Sequence, residues 1–393
     1  MSPLDSSPLV CRVDRPPPPR AWPGEARGIV VYRNCGDDRS AHDVSTCSAI
    51  ARRLAELRGV GFAGDYESES GTMADGSFYF VPMDTLVGIE HARSLGIRDE
   101  HDVFGGVVPY PFIATKSISH ALVDDEARTP EGWSYAFGER VRDAVLPGFS
   151  AFCLHDAVRA GLAMLAQGPV RIKRALGIGG RGQSVVRTSA ELERALADTD
   201  VEEIERYGIS IELHLDHVTT FSVGQVKVDD LVASYCGTQS LTRNTTGQLV
   251  YGGSRLFVVR GDFDALLARQ RAPAVRSVIA KARVYDEAAA ACFDGFLASR
   301  RNYDVAEGTD ALGRRRSGVL EQSWRVGGAS GAEVEALAAF RADPNVQEVD
   351  AQTTEVYGGE QPAPANATVY FDGDDAHGGR LLKYVIVERH DHA

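Results

Sequence analysis

The sequence predicts an α/β (α+β) protein, in which a small parallel α/β unit leads into larger α+β lobes, on three observations. Strand-like and helix-like patterns alternate from Gly28–Tyr32 (GIVVY) through His42–Arg58 to Gly76–Met83 (GSFYFVPM), as in a parallel sheet with crossover helices. A glycine-rich loop within Pro169–Arg187 (PVRIKRALGIGGRGQSVVR) lies between two short apolar runs. Two later stretches, Ile209–Val259 and Arg301–Gly328, read as successive strands broken by short turns.

The 393 residues suffice for two or three domains with a large core. A formal net charge of −13 argues against a non-specific nucleic-acid surface, while leaving room for an anionic nucleotide in a locally basic pocket. No run approaches the roughly 18 apolar residues of a membrane span. Met1–Gly28 is proline-rich and polar, without the apolar core of a signal peptide. Cys11, Cys35, Cys47, Cys153, Cys236 and Cys292 are scattered with no C-x-x-C spacing. They read as reduced thiols in a cytoplasmic protein without a cysteine-ligated metal.

Residues 1–27, with the tract Pro16–Pro19, read as a mobile tail. The parallel unit spans 28–110. In His42–Arg58, Val44, Cys47, Ile50, Ala51, Leu54 and Leu57 fall near one helical face, and a short helix is expected near Ile89–Leu95. Phe112–Lys116 reads as a strand ending in a lysine, with Ser117–Leu122 helical after it; spacing alone does not separate Lys116 from an ordinary surface lysine. A proline-gated turn at Leu146–Ser150 leads to a helix at His155–Ala166.

In the glycine-rich stretch, the strand Val170–Ile172 delivers Lys173, and Gly177, Gly179, Gly180 and Gly182 follow before Val185–Val186. Glycine allows positive φ and close approach to a ligand, successive N–H groups form an anion-binding concavity, and a lysine adds a mobile point charge. The letters also satisfy G-x-G-x-x-G, but the dinucleotide fingerprint needs the last glycine to open a helix. Here Gln183–Val186 intervenes, and the helix signal is the later capping box Thr188-Ser189-Ala190-Glu191. The loop therefore joins two strands, as a flap over a polyphosphate. No H-R-D or D-F-G element follows to suggest a protein kinase.

Ile209–Val228 reads as strand, break, strand, with Glu212 ending the first and His214, Asp216 and His217 close behind. The two histidines fall in a turn, which disfavours zinc. A strand-end glutamate followed by free backbone groups suits an adenine and ribose. Val232–Val259 reads as a hairpin about Asn244–Gly247 carrying Gln239, Arg243, Asn244, Tyr251 and Arg255, a polar set suited to a carboxylate or amine or to a solvated face. Ala272–Ala298 reads as one helix.

In Arg301–Gly328, strands Asn302–Val305 and Gly318–Gln322 flank a turn rich in glycine and arginine. Pairing about Leu312/Gly313 puts Asp304 opposite Glu321, with Ser323 on the same face. Opposed like charges need a cation, and Mg²⁺ takes a couple of carboxylates plus phosphate oxygens. Arg325 follows on that face beside Gly327-Gly328. Helix Gly331–Phe340 and the run Val346–Tyr357 close the fold, and a terminal hairpin, Thr368–Phe371 with Leu381–Glu388, reads as peripheral.

With both stretches in place, the chain resembles the ATP-grasp superfamily over roughly residues 28–335. More narrowly it resembles a bacterial ATP-grasp-like family of unknown function, DUF3182, through YGGSRLFVVRGDF, SRRNYDVAEG and GVLEQSWRVGGASGAEVEAL. The segment IKRALGIGGRGQSVV is similar to the biotin carboxylase flap. The resemblance implies a lead-in domain at 28–110, an ATP-grasp domain at 111–335 with its flap lobe at about 117–208, and two α+β lobes holding ATP between them. It implies that Lys116 and Lys173 touch the ATP phosphates, that Gly179, Gly180, Arg181 and Gly182 cover them, that Glu212, Leu213, His214 and Leu215 line the adenine, and that Asp216 meets the ribose. Asp304, Glu321 and Ser323 would hold Mg²⁺ (or Mn²⁺). The family's E-x-N-x-R strand is here Glu321-Gln322-Ser323-Trp324-Arg325, with serine for asparagine, similar to the E-V-S-P-R of ATP-grasp glycinamide ribonucleotide formyltransferases.

The activity implied is that of a carboxylate–amine (or carboxylate–thiol) ligase working through an acylphosphate, with Lys173, Arg325 and Arg255 catalytic. The partners implied are a small-molecule carboxylate and amine, without nucleic acid or membrane, in a homodimer paired through lead-in domains. Two alternatives stay open: bicarbonate activation of the biotin carboxylase type, and an ATP-binding regulatory protein without catalysis, for which Ser323 is the best support.

Overall fold

The computed structural model describes residues 28–35, 40–66, 78–177, 182–359, 362–375 and 378–389. The expectation placed on residues 1–27 lies outside them. The strand Ile29–Tyr32 is central in a small parallel sheet, flanked by Phe62–Asp65 and Tyr79–Pro82. The helix Ala41–Arg58 follows the expected apolar stripe. Its N-terminus is capped by the Ser40 hydroxyl, which accepts from the Asp43 N–H at 3.1 Å. It stops at Gly59, whose φ of 69° lies in the left-handed region. Sequence reading missed Phe62–Asp65 because FAGD carries no apolar alternation.

An eight-stranded sheet forms the body of the molecule. Its order is Arg315–Ser323, Arg300–Thr309, Asp216–Val228, Leu231–Arg243, Leu249–Arg260, Glu348–Tyr357, Gly379–Arg389, Thr368–Asp375. Side chains alternate between its faces. One face sends Val226, Tyr235, Leu256, Val349 and Ala351 into a core shared with Leu337 and Phe340 of helix Ser330–Ala342 and with Ile50 and Leu54 of the lead-in helix. The other sends Val223, Cys236, Tyr303 and Val305 against Val278, Ile279, Ala282 and Tyr285 of helix Pro273–Cys292. The terminal hairpin is therefore not peripheral: its two strands complete one edge of this sheet, and Tyr370 is buried against the helix Ser330–Ala342.

A second lobe carries a four-stranded sheet in the order Gly148–Ala151, Ile209–Leu213, Val170–Arg174, Gln183–Val186. Helices Leu154–Leu165 and Ser189–Ala197 cover it through Ala157, Ala160, Met164, Leu192 and Leu196. Part of the expected Leu146–Ser150 turn is thus strand.

Two further segments differ from their sequence patterns. Phe112–Lys116 is not a strand but two 3-10 turns, Pro111–Ala114 and Lys116–Ile118. Pro111 offers no N–H to a ladder, Thr115 caps the second turn by accepting from Ser117 N–H at 3.2 Å, and the Gln322 amide donates to the carbonyls of Ile113 and Thr115 at 2.9 and 2.6 Å. The long helix ends at Cys292, because Gly295 turns the chain at φ 79° and Leu297–Ala298 pairs with Gly106–Val107.

Between the large sheet and helix Ser330–Ala342 lies a buried ion pair. Arg300 donates to both oxygens of Glu333 at 2.9 and 2.7 Å, with side chains 1% and 0% exposed. Removing one member strands the other charge, which costs about 3–5 kcal/mol. Glu333→Ala is expected to lower the urea midpoint accordingly, and a midpoint equal to wild type would show that the pair does not hold helix to sheet.

Candidate functional site

The final hairpin places Asp304 opposite Glu321 and Asn302 opposite Ser323, so all four side chains share one face of the sheet. The opposition of Asp304 and Glu321 is the one read from the sequence, but a bulge produces it: beside the turn the pairing centres on Leu312, with Thr309 opposite Arg315, and the register shifts by one residue between Val305 and Asp304. Asp304 Oδ1 accepts from the Gln239 amide at 2.8 Å, the Asn302 amide at 3.0 Å and the Ser222 hydroxyl at 3.5 Å. Glu321 Oε2 lies 2.7 Å from Lys116 Nζ. Among the described residues no partner engages Asp304 Oδ2 or Glu321 Oε1, so each acid has one oxygen committed and one uncommitted. Burial and the facing Glu321 charge push the Asp304 carboxyl up. Burial also pushes Glu321 up, but Lys116, with Lys173 and Arg325 behind it, holds that carboxyl low.

Two lysines reach this strand from elsewhere. Lys116 leaves the buried 3-10 turn and also donates to the Gly177 carbonyl at 2.8 Å, at the root of the glycine-rich loop. Lys173, 2% exposed on the strand Val170–Arg174, approaches the Leu320 carbonyl at 3.5 Å and pairs with Glu212 Oε1 at 2.6 Å. Glu212 Oε2 lies 3.3 Å from His120 Nε2. His120 is buried, and among the described residues its Nδ1 has no partner; no sequence pattern singled it out.

The strand-end expectation is corrected in part. The Glu212 carboxylate is committed to Lys173 and His120 rather than turned outward. The N–H groups of Leu213 and His214 donate to the carbonyls of Pro147 and Pro169 at 2.9 and 3.0 Å. Leu215 is buried in the small-lobe core. Asp216 is exposed, 3.4 Å from His214 Nε2, and the His214 ring also lies 3.2 Å from Arg171.

Gly179, Gly180 and Arg181 lie outside the described residues. On either side of them Val170–Lys173 pairs antiparallel with Gln183–Val186, and Gly182 sits at φ 71°, which favours glycine. The loop joins two strands, as read.

Ser323 Oγ accepts from Arg300 at 3.2 Å. The Arg325 guanidinium lies 3.6 Å from Asp84 of the lead-in unit, and its charge helps lower Glu321. Arg255 does not join the group. The ladder runs Asp304 to Ser222, Ser222 to Gly237, and Gln239 to Ser254, so Ser254 shares the acids' face and Arg255 takes the opposite one, 3.3 Å from Asp350. Sequence reading named Gln239 without its partner and missed Asn302, although the alternation Arg300, Asn302, Asp304 carried the signal.

These donors fit a hard divalent cation. Among the described residues no group of three or more His, Cys, Asp and Glu could hold a metal. Two opposed acids with free oxygens are the sparse set that Mg²⁺ uses when water and phosphate fill its remaining positions.

Burial alone would raise the Glu212 carboxyl, and Lys173 with His120 reverses this, holding it at about 2 against an ordinary 4.5. A lowered carboxyl stabilises the fold above the unfolded value and loses that contribution as pH falls through the folded one, here between about 4.5 and about 2. The amount is on the order of 3 kcal/mol. Urea midpoints of wild type should fall more steeply over this window than those of Glu212→Gln, and parallel slopes would rule the pairing out.

The family model described as "Protein of unknown function (DUF3182)" matches residues 30–385. No curated protein matches the chain. Among solved structures, biotin carboxylase from Campylobacter jejuni, in a β-γ-ATP complex, is 11% identical with a TM-score of 0.50, over 93% of this chain and 88% of that one. Carboxyaminoimidazole ribonucleotide synthase from Aspergillus clavatus, complexed with ATP, is 14% identical with a TM-score of 0.47, over 93% and 94%. Phosphoribosylamine–glycine ligase from Thermotoga maritima is 14% identical with a TM-score of 0.47, over 91% and 92%. At such identities the likeness is one of fold, and the fold is ATP-grasp. The family model covers nearly the whole described chain, from the first strand to the last, and the chain belongs to the DUF3182 family.

Proposed function

We propose that this protein is an ATP- and Mg²⁺-dependent ligase that activates a small-molecule carboxylate as an acylphosphate for attack by an amine (or thiol). The observation that carries the reading is the meeting of two lysines from separate elements at Leu320 and Glu321, beside the opposed acid Asp304. Phosphoryl transfer needs little covalent chemistry from a protein and depends on positioning and charge stabilisation. Lys116 and Lys173 are cations held by acids, and an incoming polyphosphate offers each a competing anion. Asp304 and Glu321 would hold Mg²⁺ through their uncommitted oxygens, with Ser323 beside them. Mg²⁺ would neutralise phosphate charge and orient the transferring group. Arg325, 3.6 Å from Asp84 at the border with the lead-in unit, would receive the substrate carboxylate. The biotin carboxylase that shares this fold was solved as a β-γ-ATP complex, in keeping with a nucleotide at this site.

Cytoplasmic residence is part of the proposal. Among the described residues Cys35, Cys153, Cys236 and Cys292 are free thiols, and no helix is long and apolar enough to cross a membrane.

The test is Mg²⁺-dependent ADP release from purified protein against pools of amino acids, small carboxylates and amines. Release stimulated by one acid pool with one amine pool is expected. Lys173→Ala and Glu321→Ala are each expected to lower it by about 100-fold or more with the circular dichroism spectrum unchanged. Full turnover in either variant would overturn the assignment, while stimulation by bicarbonate with biotin would redirect it to that substrate. Arg255→Ala, on the far face, is expected to retain release; its loss there would place the substrate on the other side of the sheet.

A further inference from the structure

We propose that the side-chain amides of Asn302 and Gln239 are positioning residues for the divalent cation, clamping Asp304 by one oxygen so that the other stays available to the metal. This rests on the Mg²⁺ reading above and names the groups of this chain that make a site of only two acids and a serine hold its geometry.

Asn302 Nδ2 and Gln239 Nε2 donate to the same atom, Asp304 Oδ1, at 3.0 and 2.8 Å. Each amide has its direction set by a second bond. Asn302 Oδ1 accepts from the Tyr235 hydroxyl at 3.0 Å, which leaves the Asn302 donor end facing Asp304. Gln239 Nε2 also donates to Ser222 Oγ at 2.8 Å. Behind Asn302 the support is rigid. The Tyr235 hydroxyl is a bifurcated donor that also reaches Glu333 at 2.6 Å, and Glu333 is held by Arg300. Tyr235, Glu333 and Arg300 are at most 1% exposed.

The contrast with Glu321 gives the clamp its meaning. Glu321 has a lysine on one oxygen. Asp304 has no salt-bridge partner among the described residues, and neutral donors anchor it there. Hydrogen bonds to one carboxylate oxygen fix the rotation of the group and leave the opposite lone pairs free. Groups behind a metal ligand commonly carry about 10- to 100-fold of its affinity.

The experiment is Mn²⁺ binding to the full chain, followed by the electron paramagnetic resonance of free and bound Mn²⁺ in the absence of nucleotide. Wild type, Glu321→Gln, Gln239→Leu and Asn302→Leu are compared, with thermal midpoints measured without metal. Wild type is expected to bind, Glu321→Gln to lose binding, and both amide variants to bind at least about tenfold more weakly, with an altered hyperfine pattern for the Mn²⁺ that remains bound. Gln239 is only half-buried, so Gln239→Leu carries the test if Asn302→Leu does not fold. Binding in wild type, lost in Glu321→Gln but equal to wild type in Gln239→Leu, would overturn the clamp and leave the metal reading standing. No binding in wild type would overturn the metal reading and the clamp with it.

Discussion

Everything at the candidate site depends on one electrostatic constraint: the final hairpin sets two carboxylates face to face across a β-ladder. Such a pair is destabilising by itself, and the surrounding chain is arranged around that cost. Lys116 neutralises one acid, amides hold the other, and Arg325 adds a more distant positive charge. The lysine comes from a 3-10 turn that is in turn fixed by Gln322, next to Glu321 on the same strand. The strand that bears the acid thus also positions its counter-ion.

The second lysine is handled in the same way one lobe away. Lys173 and Glu212 sit on neighbouring strands of the small sheet, two residues apart in register and so on one face, and His120 completes the set from the 3-10 region. Burying a cation is costly unless it is paired, and each of these lysines has a carboxylate within salt-bridge distance. A polyanion arriving there would meet cations already placed.

The parts legible in the sequence were those where local chemistry and long-range structure agree. The Asp304–Glu321 opposition was read from a glycine- and arginine-rich turn flanked by alternating residues, although a bulge the sequence does not announce is what brings the pair into register; the glycine-rich loop was read as joining strands because the helix signal came too late. Arg255 shows the limit. Its face depends on the register of four successive strand pairs, and no single stretch contains that information. Phe112–Lys116 has strand composition, yet its backbone is satisfied by a side-chain amide more than two hundred residues on. His120 lies in Ser117–Leu122, which reads as helical but whose only helical part is the 3-10 turn ending at Ile118, and its packing under Glu212 is what marks it. The terminal hairpin looked peripheral because its neighbours in the sheet are set by pairing, which hydrophobic pattern does not encode.

The seating of that hairpin bears on how the molecule is made. The His42 ring of the lead-in helix lies 5.2 Å from Phe371 of the terminal strand, and the two ends of the described chain share one core with the sheet between them. A nascent chain emerging from the ribosome would have its lead-in helix, and the surface that helix covers, waiting on some three hundred residues still to be translated. Contacts so distant in sequence slow folding and leave apolar surface exposed meanwhile. During synthesis the apolar face of the lead-in helix therefore stays uncovered until the terminal strands emerge.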